Sequence, residues 1–272
     1  IPRLVSILVT GASLGIAGII VQTISSNKFV SPSTIGTMDW AKFGIMISLI
    51  FLGDKSTLLK MTVAFIFALF GTMLFMKVLS KMKIKNVVMI PLIGIMLGNV
   101  VNSITGFVAY KFDLIQNIGS WMQGNFALVV KGRYELIYIG IPFLVLAYIY
   151  TDKFTIVGIG KDFSANLGLN REKITFIGLI IVSVITASIV VTIGTIPYVG
   201  LIIPNIVSIY KGDNMKKSLP DTAILGALFV LICDIAGRIV MYPYEVSISV
   251  IMSIVGSLIF LILIFRRYKY AN

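Results

Sequence analysis

Histidine is absent from all 272 residues, and cysteine occurs once, at Cys233. No intramolecular disulfide can form, and no zinc site can be built from Cys and His. Charge is scarce as well: 12% of residues are Asp, Glu, Lys or Arg, and only 11 residues are acidic. A soluble domain carries about 25% charged residues. With 58% hydrophobic residues and a mean hydropathy of +1.01, too few polar side chains remain to cover a water-facing surface. Lipid must be the solvent for much of the outside. Cys233 sits in an apolar stretch and reads as a small buried side chain.

A spanning helix needs about 20 mainly apolar residues, fewer where neighbours bury it. Nine candidates occur, near 4–24, 38–53, 58–77, 87–108, 136–151, 173–194, 198–210, 222–238 and 247–265. The predicted fold class is an all-α integral membrane protein, a polytopic helix bundle with nine spans. No soluble domain or low-complexity linker interrupts it, so residues 1–272 form a single transmembrane domain. The first apolar run follows no basic n-region and precedes no small-residue cleavage site, so it is a span rather than a signal peptide.

The net charge is +12. In a soluble protein that balance would suggest nucleic acid. Here the basic residues fall in short breaks between apolar runs, the pattern of topology determinants, and no nucleic-acid partner is expected. One side collects Lys28, Lys77, Lys81, Lys83, Lys85, Lys153, Lys161, Arg171, Lys173, Lys211, Lys216, Lys217, Arg266, Arg267 and Lys269. The other holds Arg3, Lys55, Lys60, Lys111, Lys131, Arg133 and Arg238, and Lys42 is ambiguous. The excess puts the C-terminus in the cytoplasm. Nine spans then start Ile1 outside, which implies one further helix before it, ten in all.

Catalytic sets are hard to find. The nearest approach to a Walker A loop is Gly160-Lys161-Asp162, which has no Ser or Thr after the Lys and has Thr155 where the first Gly belongs. Without His, an intramembrane base would have to be Asp, Glu or Lys. Asp39 and Asp234 lie within spans, where charges are functional suspects by default. Asp234 stands four residues before Arg238 on one helix, a pairing distance, and no second carboxylate is placed to make a proton relay. No cofactor and no metal site is expected, and the chain is not expected to be an enzyme. Gly11, Gly15 and Gly18 share one helix at spacings that let another backbone approach closely. Pro91, Pro142 and Pro204 fall in or beside helices and favour kinks. Residues 115–122 can form a short interfacial helix anchored by Trp121. Residues 152–172 contain two short segments bracketed by Gly158, Gly160 and Gly168, with Phe163 and Leu167 four apart, a surface that suits a partner's groove.

Gly194-Thr195-Ile196-Pro197-Tyr198-Val199-Gly200-Leu201-Ile202-Ile203-Pro204-Asn205 resembles a signature of the FecCD-type permeases, the membrane subunits of ABC importers for ferric siderophores, haem and vitamin B12. The resemblance runs along nearly the whole chain. Ile1-Pro2-Arg3-Leu4 is similar to the end of an R-L-P-R element. Gln22, Asn27, Pro32 and Gly36, then Trp121-Met122-Gln123-Gly124, follow in family order. So do Gly160, Leu167-Gly168-Leu169, Leu219-Pro220, Gly226-Ala227, Asp234-Ile235-Ala236-Gly237-Arg238 and Pro243-Tyr244-Glu245. The signature departs at Asn205, where the family has His, at Ser208, where it has Arg, and at Lys28, where it has Pro.

The resemblance implies a ten-helix fold, nine helices of it in this chain. The permease would work in a pair with the same or a related chain, in a bacterial cell membrane. It would be driven by two cytoplasmic ATPase subunits and fed by an extracytoplasmic substrate-binding protein. An iron–siderophore complex is the expected ligand; vitamin B12 or haem are the alternatives within the family, and an ATP-independent secondary transporter the alternative outside it. Arg3 and Arg238 match the positions that receive acidic residues of the binding protein. Residues 157–170, with Gly160, Lys161, Asp162, Phe163, Ser164, Leu167 and Gly168, match the segment that presses on the ATPase. The signature residues Gly194, Gly200, Pro204 and Asn205 are expected to shape local helix packing.

Overall fold

The computed structural model describes residues 2–53, 55–81, 89–129 and 134–271. Lys83, Lys85, Lys131 and Arg133 of the charge pattern lie outside the described residues, as do the side chains of Lys161, Arg266, Arg267 and Lys269. The described residues form twelve α-helices: α1 Pro2–Ile24, α2 Thr37–Phe51, α3 Thr57–Lys81, α4 Met89–Lys111, α5 Ile115–Met122 and α6 Gly140–Ile149. They continue as α7 Thr151–Ile159, α8 Lys161–Asn166, α9 Arg171–Ile193, α10 Val199–Lys211, α11 Met215–Ile239 and α12 Ile248–Ala271. Short 3-10 turns span Pro32–Ile35, Phe126–Leu128 and Glu135–Ile139. Helix is the natural state of such a sequence, because in lipid each backbone N–H and C=O needs a partner within its own segment. Polar starts are capped: the Asn170 side chain accepts from the Lys173 N–H at 3.0 Å, and Asn214 from the Lys217 N–H at 3.2 Å.

The described residues of the predicted spans are mainly helical, the fifth as a 3-10 turn followed by α6, but they do not all cross in the same way. Six helices are long and apolar enough to span: α1, α3, α4, α9, α11 and α12. The 135–149 segment and α7 make a seventh only as a pair bent by 60°. Helices α2 and α10, of 15 and 13 residues, are too short at 1.5 Å per residue to cross a core of about 30 Å. The count of nine full spans is therefore not confirmed. The reason lies in where these two helices begin. The 3-10 turn Pro32–Ile35 and Gly36 pack against Gly94 and Gly98, more than one turn inside α4. Non-helical residues 194–198 lead from α9 to Gly200, which meets Gly18 deep in α1. Both helices thus start inside the bundle.

The centre is made by α1 and α9, whose apolar windows are 72% and 78% buried, against 22% in α12 at the periphery. The glycines of α1 explain how it fits there. A methyl group on Gly11 would overlap the Gly226 carbonyl of α11, and one on Gly18 would overlap the Gly200 carbonyl of α10. Gly15 lies against Thr222. This glycine spacing is thus a packing seam, backbone on backbone. Replacing Gly18 by Ala should lower the unfolding midpoint in detergent by the equivalent of about 1–3 kcal/mol. Gly119→Ala, at a position with nothing within 4 Å of the new carbon, should leave it unchanged or raised.

Candidate functional site

Two polar regions sit at opposite ends of the bundle. At the first, α1 and α11 bring together residues far apart in sequence. The Arg3 guanidinium bonds Asp234 Oδ1 at 2.9 Å and Glu245 Oε2 at 2.7 Å. Arg238 Nη2 lies 3.0 Å from Asp234 Oδ2. The last contact is ionic without good hydrogen-bond alignment, since Oδ2 gains no hydrogen bond from it. The pairing expected for Asp234 and Arg238 is present, and Arg3 and Glu245 join it. Asp234 is 4% exposed and Arg3 22%, whereas Arg238 is 44% exposed. The two arginines therefore differ: Arg3 is held by two carboxylates, and Arg238 presents more of its charge outward.

Just below that end, two sequence motifs meet. Gly194 ends α9 with φ +100, and its Cα lies against the Gln123–Gly124 peptide. A side chain there would be strained and would collide with that backbone. The Thr195 N–H donates to the Met122 carbonyl at 2.8 Å, and the Asn125 N–H to Ile193 at 3.0 Å. Ser249 at the start of α12 closes the junction, donating to Thr195 O at 2.7 Å and accepting from the Gly124 N–H at 2.6 Å. Trp121 donates its indole N–H to Val191 O at 3.3 Å and is half-buried, so α5 is tied to α9 through that ring. A cleft of about 380 Å³ opens beside it, lined by Leu49, Met61, Asn117, Trp121 and Val191 among others.

The rest of the signature holds α10. Gln22 donates to the carbonyls of Gly200 and Leu201 at 3.3 and 3.2 Å. Asn205 donates to Lys28 O at 2.8 Å and Leu201 O at 2.7 Å. An amide thus clasps the turn after α1. Pro204 lies inside α10 and is buried.

At the opposite end, residues 150–170 form two short helices, α7 and α8, with Gly160 between them and Gly168 at φ +71 after them. Phe163 and Leu167 are 47% and 55% exposed, while Ser164 is buried and bonds Gly160 O at 2.9 Å. Asp162 is exposed and lies in the first turn of α8. Helix α7 is tied to the core: Gly158 packs on Thr23 at the end of α1, Ser26 donates to Gly158 O at 2.9 Å, and Lys216 of α11 pairs with Asp152 at 3.0 Å. Among the described residues no group of three or more His, Cys, Asp or Glu gathers as a metal site.

The family model described as the FecCD transport family matches residues 1–266. The chain belongs to the FecCD transport family. Among its FecCD relatives, the petrobactin import system permease protein YclN of Bacillus subtilis is 58% identical over 271 residues, which are all of this chain and 86% of that protein. The ferric-anguibactin transport system permease protein FatD of Vibrio anguillarum is 37% identical, over 99% of this chain and 86% of its own length. A solved inward-facing metal-chelate type ABC transporter superposes with a TM-score of 0.88 at 23% identity, covering 97% of this chain and 85% of its own. The shared fold is that of an ABC transporter permease.

Arg3 and Glu245 could not be found from spacing, because 242 residues separate them. Asp234→Asn leaves Arg3 and Arg238 without their shared carboxylate and should destabilise the protein by on the order of 3 kcal/mol. Glu245→Gln, at a 39% exposed position, should cost about 1 kcal/mol or less. Unfolding in mixed micelles would compare them.

Proposed function

We propose that this chain is the membrane-spanning permease subunit of an ABC importer for an iron–siderophore complex, with a petrobactin-type chelate as the ligand. The observation that carries this is the family match across residues 1–266 combined with 58% identity to a petrobactin permease. ATP hydrolysis belongs to two separate cytoplasmic subunits. A second permease, the same chain or a relative, completes the pathway, and an extracytoplasmic binding protein supplies the ligand. The C-terminus is cytoplasmic and the membrane is the bacterial cell membrane, following the Lys and Arg distribution.

The chain does no chemistry on its cargo in this reading. Its work is to switch between outward-open and inward-open packings that partner subunits bias. ATPase movement enters at Phe163 and Leu167, whose exposed apolar side chains fill a groove on that subunit. From α8 it passes to α7, and then through Gly158 into α1 and through Asp152–Lys216 into α11. At the other end, Arg238 takes an acidic residue of the binding protein, and Arg3 holds Asp234 and Glu245 in place behind it. Such rim charges steer encounter and register more than they add affinity.

Arg238→Glu should slow binding-protein association at least about tenfold at low salt, with Arg3→Glu acting chiefly by destabilising the cluster. ATPase recovery in a detergent pull-down should be intact for Arg238→Glu; unchanged association kinetics would remove Arg238 from docking. The double variant Phe163→Asp, Leu167→Asp should abolish co-purification of the ATPase. Normal recovery together with normal transport would take 157–170 out of the mechanism.

A further inference from the structure

Lys42 is the one basic residue that the charge pattern assigns to neither end, and the structure places it half-buried beside the middle of α4. Gly36, just before α2, packs on Gly94 and Gly98 of α4. Helix α2 therefore starts well within the depth of the 23-residue α4. Lys42 then reaches Asn102, donating from Nζ to Oδ1 at 2.7 Å. Asn102 is the fourteenth residue of α4, about 20 Å along a helix of about 34 Å at 1.5 Å per residue. A lysine at that depth is expensive, and such residues face a wet cavity or a partner rather than lipid.

The face it joins is polar as well. Asn99, Asn102, Ser103 and Gly106 recur at i, i+3, i+4 and i+7 and are all exposed in this chain. Ser103 satisfies itself on Asn99 O at 2.8 Å. An exposed amide such as that of Asn99 would be penalised by several kcal/mol if it faced hydrocarbon. The outer faces of α3 and α12 present apolar side chains instead: Ile66, Phe70 and Met73 on one, Leu258, Leu261 and Ile262 on the other. On α4 the exposed apolar side chains Ile95, Met96, Val100, Ile104 and Phe107 flank the polar stripe, and the stripe itself suits a wet pathway or a partner better than hydrocarbon. No carboxylate among the described residues stands within 4 Å of Lys42 Nζ. Asp39, one turn earlier on α2, sets its carboxylate against Gly98, one turn before Asn102 on the same face of α4, where its charge acts on Lys42 without closing an ion pair.

We propose that Lys42, with Asn99, Asn102 and Ser103, forms a subsite midway through the membrane for a negatively charged ferric chelate. This rests on the importer reading above and adds the charge class of its cargo. Ferric iron held by three doubly deprotonated catechols is a trianion, and hydroxycarboxylate chelates are also anionic, whereas the tris-hydroxamate is neutral. An ammonium flanked by amide and hydroxyl groups would stabilise the first two classes in a poorly hydrated pathway and give a neutral chelate nothing comparable.

The test is ATP-driven uptake of radiolabelled ferric petrobactin by vesicles holding the complete importer with its binding protein. Lys42→Gln can still bond Asn102 but carries no charge; Lys42→Arg keeps the charge in a different shape. Uptake should fall about tenfold in Lys42→Gln and stay within about twofold of the wild type in Lys42→Arg, with recovery of the ATPase subunits in a detergent pull-down equal in both. Wild-type uptake by Lys42→Gln, or a better rate with Gln than with Arg, would overturn the subsite and make Lys42 a packing clamp. Wild-type vesicles that take up no ferric petrobactin would overturn the importer reading, a distinct result visible before any variant is compared.

Discussion

Backbone-to-backbone contact along α1 is the constraint on which the rest of the structure depends. Gly11 against Gly226 and Gly18 against Gly200 leave no space for a side chain, so α1, α10 and α11 hold one another at the closest approach helices reach. In lipid there is little hydrophobic drive between helices, and contact of this kind is what holds them. Gln22 adds two hydrogen bonds to the start of α10 within the same seam. The seam also joins the two ends of the molecule. Arg3 begins α1 and Arg238 ends α11, while Thr23 and Lys216 at their other ends contact α7. A push on α7 and α8 therefore acts on the same two helices that carry the charged cluster, about 30 Å away by the length of α1.

Irregular backbone sits where these helices need it and is satisfied there. The 194–198 segment would be costly in lipid, yet Thr195 bonds Met122 and Ser249, and Asn125 bonds Ile193. Two sequence motifs thus explain each other: Gly124 must be glycine because a side chain there would strike Thr195 O and Ser249 Oγ, and Gly194 must be glycine because of its φ and its contact with the Gln123–Gly124 peptide. The same logic accounts for α2 and α10, which are short because a turn or a non-helical segment has already covered part of the depth.

Local pattern made much of this legible. Apolar runs marked nine helical segments, i,i+4 spacing paired Asp234 with Arg238, and glycine spacing in α1 signalled close packing. Gly160 and Gly168 bracketed α8. What the sequence could not show was long-range or dependent on depth. Arg3 meets Asp234 and Glu245 across 231 and 242 residues, and no periodicity encodes that. The count of nine full spans is not confirmed because an apolar run has the same composition whether it starts at the membrane surface or midway through it. Lys42 stayed ambiguous for that reason: its depth is set by Gly36 on Gly94 and Gly98, contacts that a hydropathy window does not contain.

Energy coupling is the property that separates an ABC permease from a secondary carrier. Vesicles carrying this permease with its partner permease, ATPases and ligand-loaded binding protein should accumulate labelled ferric siderophore only when ATP is inside the compartment that meets α8. Accumulation without ATP, driven by an ion gradient alone, would contradict the account and make the bundle a secondary carrier.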